Sequence, residues 1–137
     1  MTEVRRRRRG SKEERRLEEV ERALSSIRQL DSENCILVEG TRDREALRAL
    51  GVVGSIACLK HGRGSISERL GRVDAKNLII LMDFDPEGQY LAKLLYRLLT
   101  TRGRIADLST WRRLKSYIGK DVRDIEGLAA YISRRSI

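Results

Sequence analysis

Residues 77–88, which read NLIILMDFDPEG, constrain the fold more than any other segment. The first six residues are mostly apolar and predict a strand that is buried on both faces. Asp83, Asp85 and Glu87 follow within five positions, and Pro86 opens an amphipathic run that predicts a helix. Carboxylates between a strand and a helix lie at the carboxyl edge of a sheet, where open α/β sheets bind ligands. Clustered charge beside apolar strands is costly to bury, so a divalent cation is the expected partner.

The length and composition of the chain predict a single domain. It has 137 residues, of which 40% are hydrophobic and 36% charged, as is typical of a globular protein with one core. No run approaches membrane-spanning length and no N-terminal apolar segment resembles a signal peptide, so a cytoplasmic location is expected. Cys35 and Cys58 lie in apolar runs and are interpreted as buried hydrophobic residues rather than as a disulfide or zinc pair.

The net charge of +9 is concentrated at the two ends of the chain. Residues 1–16 contain eight Lys and Arg against three Asp and Glu, and residues 100–137 contain nine against four. Such basic clusters favour a nucleic-acid partner over the alternative of a merely solubilising tail. The candidate nucleic-acid-binding residues are Arg5, Arg6, Arg7, Arg8 and Arg9, together with Lys60 and Arg63 in a glycine-containing loop that is equally well explained as an exposed connection.

The rest of the sequence alternates between strand and helix patterns. Residues 1–10 are predicted to form a flexible basic arm, because adjacent arginines repel one another. Ser11 and Glu14 match a capping box at the start of a helix over residues 11–30. Residues 119–137 are expected to form a C-terminal helix that packs on the same domain. The predicted strands are residues 35–38, 55–59, 77–82 and 104–108, and the predicted helices after them begin near Thr41, Ser65, Pro86, Thr110 and Asp121.

Strands that alternate with helices predict a parallel sheet with right-handed crossovers. The expected fold is α/β, with a central, mainly parallel four-stranded sheet flanked by helices. If the strand order is 2-1-3-4, the first and third strands are neighbours at the switch point of the sheet. Glu39, which ends the first strand, would then lie beside Asp83 and Asp85.

Four acids form the candidate site: Glu39, Asp83, Asp85 and Glu87. Mg²⁺ prefers oxygen ligands and keeps several waters, so one or two carboxylates are enough to hold it. Asp83 and Asp85 are the predicted ligands, Glu39 and Glu87 are further candidates, and Mn²⁺ is an alternative ion. Glu39 is also suited to general acid–base catalysis. Singly, Asp85 is explained as a helix cap and Glu87 as a first-turn acid, but two neighbouring strand ends that both finish in acids favour a metal.

Two motifs together resemble a known family. Residues 36–43, ILVEGTRD, are followed about forty residues later by residues 79–88, IILMDFDPEG. This pairing is similar to the Toprim domain, which is shared by topoisomerases, bacterial-type primases, nucleases and recombination-repair proteins. The resemblance covers nearly the whole folded body and assigns residues 31–118 to a compact, three-layer, Rossmann-like Toprim fold.

The resemblance also implies roles for particular residues. It implies that Asp83 and Asp85 bind Mg²⁺ and that Glu39 is the general acid or base in nucleotidyl transfer or strand cleavage. Gly40 would permit the turn at Glu39, and Gly88 would allow close packing of the following helix.

The leading hypothesis is a small Mg²⁺-dependent Toprim nuclease that processes nucleic-acid phosphodiesters, with RNA slightly favoured over DNA. The alternative is a non-catalytic nucleic-acid-binding subunit of a larger RNA- or DNA-processing complex. A small-molecule phosphotransferase or phosphatase ranks lower. In that class a Thr usually follows the Asp-x-Asp pattern, whereas here Pro86 and Glu87 follow Asp83 and Asp85. Aromatic residues make up only 4% of the chain, so contacts to phosphate should dominate over base stacking. The four tyrosines, Tyr90, Tyr96, Tyr117 and Tyr131, are interpreted as packing residues.

Overall fold

The computed structural model of the chain describes the backbone of residues 2–135 and the side chains of residues 12–135. Strands and helices alternate along this part of the chain. The strands are β1 (Asn34–Val38), β2 (Ser55–Cys58), β3 (Asn77–Ile80) and β4 (Ile105–Asp107). The helices are α1 (Thr2–Arg28), α2 (Thr41–Ala49), α3 (Ile66–Gly71), α4 (Pro86–Thr101), α5 (Ser109–Ile118) and α6 (Ile125–Arg135).

The four strands form one sheet in the order β2-β1-β3-β4, and every neighbouring pair is parallel. The predicted α/β class and the predicted strand order are therefore confirmed. The central strands β1 and β3 carry fully buried side chains such as Ile36, Leu37, Leu78 and Ile80. This burial explains why their sequences are continuous apolar runs rather than alternating patterns.

Two pairs of helices pack against each other outside the sheet. Helix α2 contacts α6, so the C-terminal helix packs on the same domain, and α1 contacts α5. The buried face of α1 consists of Val20, Ala23, Leu24 and Ile27, at the spacing expected of an amphipathic helix. Among the described residues, no helix is long and apolar enough to cross a membrane.

Three helix starts differ from the prediction. Helix α1 begins at Thr2 rather than Ser11, because Arg is a good helix former and extends a helix that packing has already nucleated. Thr110 is buried inside α5, where its hydroxyl lies 3.2 Å from that of Ser26, so it is not the cap. Asp121 does not cap α6. Asp124 accepts the hydrogen bond of the Gly127 amide at 2.7 Å instead.

Candidate active site

The carboxyl ends of β1 and β3 bring two acids together. The register pairs Leu37 with Ile80, so the residues just beyond both strands continue side by side. Just beyond the strands, the backbone amide of Asp83 donates a hydrogen bond of 2.9 Å to Glu39 Oε2. The two residues are 44 positions apart in the sequence. The predicted meeting of Glu39 and Asp83 at the switch point is therefore present.

The carboxyl group of Asp83 has the pKa that is raised most among the described residues of this site. Its Oδ1 atom is buried and has no hydrogen-bond partner among the described residues. Burial, followed by the neighbouring carboxylate of Glu39 and smaller contributions from Asp43 and Asp124, together raise the pKa of Asp83 to about 8. Asp83 therefore holds a proton near neutral pH unless a cation stabilises its charged form.

Glu39 is buried, with only 4% of its surface exposed, and its carboxylate is paired with the ammonium of Lys60. The Nζ atom of Lys60 lies 3.3 Å from Glu39 Oε1 and 3.8 Å from Glu87 Oε1. Attraction to Glu39 raises the pKa of the Lys60 ammonium, so this residue stays charged. The loop after β2 thus places Lys60, a candidate nucleic-acid-binding residue, at the acids, whereas no described contact brings the side chain of Arg63 to them.

Asp85 lies at the N-terminus of α4, where it has the capping role that its sequence position predicted. Its Oδ1 accepts the hydrogen bond of the Gly88 amide at 2.8 Å. Its Oδ2 lies 3.4 Å from the guanidinium of Arg123, a residue from the loop before α6. Glu87 is largely exposed on the first turn of the helix. Both acids remain candidates for a metal, but each has an ordinary structural partner.

The two glycines predicted to shape the site differ in how much they are constrained. A Cβ atom on Gly88 would lie 2.1 Å from the carbonyl oxygen of Asp83, so α4 approaches the strand end too closely for any other residue. Gly40 has a φ of −141°, and no atom lies within 4 Å of the position of a Cβ. The turn at Glu39 therefore does not require glycine, contrary to the expectation.

Trp111 anchors the strand end from α5. Its indole Nε1 donates a 2.8 Å hydrogen bond to the carbonyl oxygen of Met82, immediately before Asp83.

Trp111→Phe removes this donor, leaves a buried carbonyl unsatisfied and opens a small cavity. We expect the free energy of unfolding to fall by about 2–3 kcal/mol in urea denaturation followed by circular dichroism. The control is Tyr117→Phe, which removes a half-buried bond to Glu19 and should cost less than about 1 kcal/mol. Equal losses in the two variants would contradict the anchoring role of Trp111.

Two further acids lie near the site, Asp43 from the first turn of α2 and Asp124 from the loop before α6. Asp43 accepts a hydrogen bond from the Gly40 amide at 3.1 Å, and burial raises its pKa, with Glu39 and Asp124 acting in the same direction. Asp43 was visible in the sequence as the acid that ends the motif ILVEGTRD, residues 36–43. Asp124 and Arg123 were not, because no local pattern signals that α6 packs on α2 and carries its preceding loop to the sheet edge.

The fit of a divalent cation rests on the unpaired oxygen of Asp83. Among residues 12–135, no group of three or more His, Cys, Asp or Glu side chains is arranged to hold a metal ion. Mg²⁺ needs only one or two carboxylates, because water and substrate phosphate complete its coordination. The buried Oδ1 of Asp83, with Glu39 beside it, supplies the hard oxygen ligands that this ion prefers. The residues present therefore fit Mg²⁺ in an open site of few protein ligands.

The fold and these strand-end acids define a class of protein. A family model described as the Toprim domain matches residues 34–111 of the chain. The chain belongs to the Toprim domain family, a class associated in general with metal-dependent processing of nucleic acid. Proteins with this domain typically bind Mg²⁺. The side chains of the predicted nucleic-acid-binding arginines 5–9 lie outside the described residues.

The relatives of the chain are small proteins of similar length. A UPF0292 protein of Methanocaldococcus jannaschii is 36% identical over 125 residues, which cover 88% of this chain and 98% of that protein. A UPF0292 protein of Thermococcus kodakarensis is 38% identical over 97 residues, which cover 70% and 71%. A solved structure of a putative protein from Aquifex aeolicus is similar in fold, with a TM-score of 0.60 and 22% identity, over 77% of this chain and 94% of that one.

Proposed function

We propose that the chain is a Mg²⁺-dependent nuclease that cleaves nucleic-acid phosphodiesters, with RNA slightly favoured over DNA and Mn²⁺ as an alternative ion. The observation that carries this proposal is the buried Oδ1 of Asp83, unpaired among the described residues and adjacent to the buried Glu39. Two neighbouring carboxylates, one buried and one partly buried, are costly without a cation for each, and Lys60 forms an ion pair with Glu39 but not with Asp83. Retaining them at the ligand-binding edge of an α/β sheet supports a catalytic role.

The residues of the site have separable roles in this proposal. Asp83 would hold the metal, with Asp85 as second ligand through the oxygen that now faces Arg123. When bound, a divalent ion neutralises charge on the reacting phosphate and lowers the pKa of a bound water. Glu39 transfers a proton through Oε1, because its Oε2 is fixed by the Asp83 amide. Lys60, beside Glu39 Oε1, contributes positive charge where the phosphate must approach.

The test is a cleavage assay with end-labelled single-stranded RNA, structured RNA and DNA in Mg²⁺, Mn²⁺ or EDTA. Glu39→Gln preserves the size of the side chain and its ability to accept the Asp83 amide, but removes a proton-transfer group. We expect its metal-dependent cleavage rate to fall about 10²- to 10⁴-fold. Glu33→Gln is the matched control, because Glu33 is an exposed acid just before β1 at the opposite edge of the sheet. Metal-dependent cleavage that survives in Asp83→Asn would overturn the assignment.

A second function is favoured by one observation. Glu39 is already paired with Lys60, and Asp85 already caps α4 and faces Arg123, as would suit a non-catalytic nucleic-acid-binding subunit of a larger complex. That alternative predicts salt-sensitive binding to nucleic acid with no turnover in any metal. Binding without cleavage in every condition of the assay above would favour it.

A further inference from the structure

The outer surface of α4 and α5 carries positive charge with almost no compensating acid. The only acid in either helix is Glu87, in the first turn of α4. Lys93 and Arg97 on α4, and Arg112 on α5, form no ion pair with any described residue. Cations that are not used within the fold are available to an anionic partner.

Two tyrosines interrupt this basic surface, and both are exposed. Tyr90 is 69% exposed and Tyr96 is 43% exposed, whereas Leu91 and Leu95 of the same helix are buried. The interpretation of Tyr90 and Tyr96 as packing residues is therefore wrong. Exposed aromatic rings among cations offer stacking surfaces for bases beside contacts for phosphates.

The surface reaches the segment of chain that carries two of the site acids. A groove of about 410 Å³ is lined by Arg112, Lys115 and Phe84, and Phe84 is the residue between Asp83 and Asp85 in the sequence. Within it, Lys115 donates a 3.1 Å hydrogen bond to Gln89, which joins α5 to α4.

Further grooves extend this surface along α4. A groove of about 360 Å³ shares Arg112 with the first and reaches Lys93, Tyr96 and Arg97. Lys93 and Arg97 then line a small depression with Tyr90.

We propose that this surface binds a single-stranded polynucleotide and guides it to the acidic site. We call it the α4–α5 track, and it consists of Tyr90, Lys93, Tyr96, Arg97, Arg112 and Lys115. The proposal rests on the proposed function for the reaction at its end, but the binding itself is independent of catalysis. A single strand fits better than a duplex, because only a single strand exposes base faces to stack on the tyrosines. Contacts to phosphate and base faces are common to RNA and DNA.

The test measures binding of labelled oligonucleotides of about 15 residues, in EDTA so that no cleavage occurs. Tyr96→Ala should weaken binding to a single strand about 5- to 100-fold through lost stacking, and Tyr96→Phe should bind like the wild type. Tyr90→Ala provides a second stacking variant, at a position too exposed to matter for folding. The control is Val53→Ala, which removes an exposed apolar side chain, 71% accessible, away from the track.

The charge of the track is tested by salt dependence. Lys93→Ala combined with Arg97→Ala should reduce the slope of log affinity against log salt by about 1.4, since each phosphate contact on a single strand contributes about 0.7. Lys76→Ala, at an exposed cation just before β3 at the opposite edge of the sheet, should leave the slope unchanged. Tighter binding to RNA than to DNA of the same sequence would identify an additional contact to the 2′-hydroxyl and would support the track, as would equal binding.

The outcomes separate this proposal from the proposed function. Equal binding of duplex and single strand, or equal losses in the track variants and their controls, would overturn the track. Cleavage by the wild type together with undiminished binding by the track variants would overturn the track alone. Track-dependent binding with no cleavage in any metal would support the track and overturn the nuclease assignment.

Discussion

Gly88→Ala is expected to destabilise the protein by about 3 kcal/mol or more. The new Cβ would lie 2.1 Å from the carbonyl oxygen of Asp83, 2.6 Å from its carbonyl carbon and 2.9 Å from its Cα atom. All three are backbone atoms, so no side-chain rotation can relieve the contact, and either α4 or the end of β3 must move. Overpacking commonly costs 1–3 kcal/mol, and backbone displacement lies at or beyond the upper end of that range.

The direction of the stability change distinguishes steric overlap at Gly88 from an effect of helix propensity. In the first turn of an unobstructed helix, replacing Gly with Ala stabilises the helix by up to about 1 kcal/mol. A loss of stability at Gly88 therefore reports the close approach and not helix propensity. Any displacement would also shift Asp83 and Asp85, so metal-dependent activity should fall with stability.

Gly40→Ala is the matched control for Gly88→Ala. Gly40 flanks the same site, has an extended backbone and has open space at the Cβ position. It is the residue before α2, where Ala is a slightly poorer cap than Gly, so a loss below about 1 kcal/mol is expected. Chemical denaturation of both variants measures the difference. Similar stabilities of the two variants would show that α4 can withdraw from β3 without cost.

The sequence predicted the meeting of Glu39 and Asp83 because the signals involved are local. Two apolar strands that end in acids, with helices between them, leave few topologies once right-handed crossovers are required. The order β2-β1-β3-β4 then follows from the switch-point geometry and brings the two strand ends together. The capping role of Asp85 was equally readable, since Pro86 directly follows it.

The approach of Arg123 and Asp124 could not be predicted from local sequence. Both precede α6, and they reach the site only because α6 packs on α2. That contact depends on tertiary packing, which neither capping rules nor periodicity encodes.

The exposure of Tyr90 on α4 could not be predicted for a different reason. Its leucine-rich sequence fits two overlapping stripes, and periodicity alone does not choose between them. The interpretation of Tyr90 as a packing residue requires it to lie on the apolar face, but the buried side chains of α4 are those of Leu91, Ala92, Leu95 and Leu99. The true stripe faces the sheet, and Tyr90 is rotated into solvent. The exposed tyrosines were therefore recognisable only after the helix had been placed on the sheet.

Asp83→Asn is expected to stabilise the protein in EDTA while abolishing its response to Mg²⁺. The variant keeps the shape of the side chain and removes a carboxylate whose charge is opposed by burial and by Glu39. At pH 8.5 we expect the free energy of unfolding to rise by about 2–3 kcal/mol, less than the full pKa shift implies because the side chain is partly exposed. Residues that a site needs for function are often those that cost stability.

The pH dependence of this difference has a definite sign. The pKa of Asp83 is raised to about 8 in the folded protein, from an unfolded value near 3.8. Between these values the folded state binds the proton and the unfolded state does not, so raising the pH lowers wild-type stability. The stability gained by protonation is full below about pH 4 and is lost as the pH rises through about 8. Asp83→Asn lacks this dependence, so its advantage over the wild type should grow from pH 4 to pH 8.

Mg²⁺ should reverse the order of stability of the two proteins. An ion that binds only the folded wild type stabilises it by about 2.7 kcal/mol at 100 times its dissociation constant, and the Asn variant should gain far less. Asp74→Asn, at an exposed acid before β3, is the control and should match the wild type with and without Mg²⁺. Loss of stability in Asp83→Asn at pH 8.5 in EDTA would contradict the cost assigned to the buried carboxylate. Equal stabilisation of wild type and variant by Mg²⁺ would place the ion elsewhere. If Mg²⁺ stabilises only the wild type, equilibrium unfolding identifies Asp83 as a ligand of the ion, and no substrate is needed for the test.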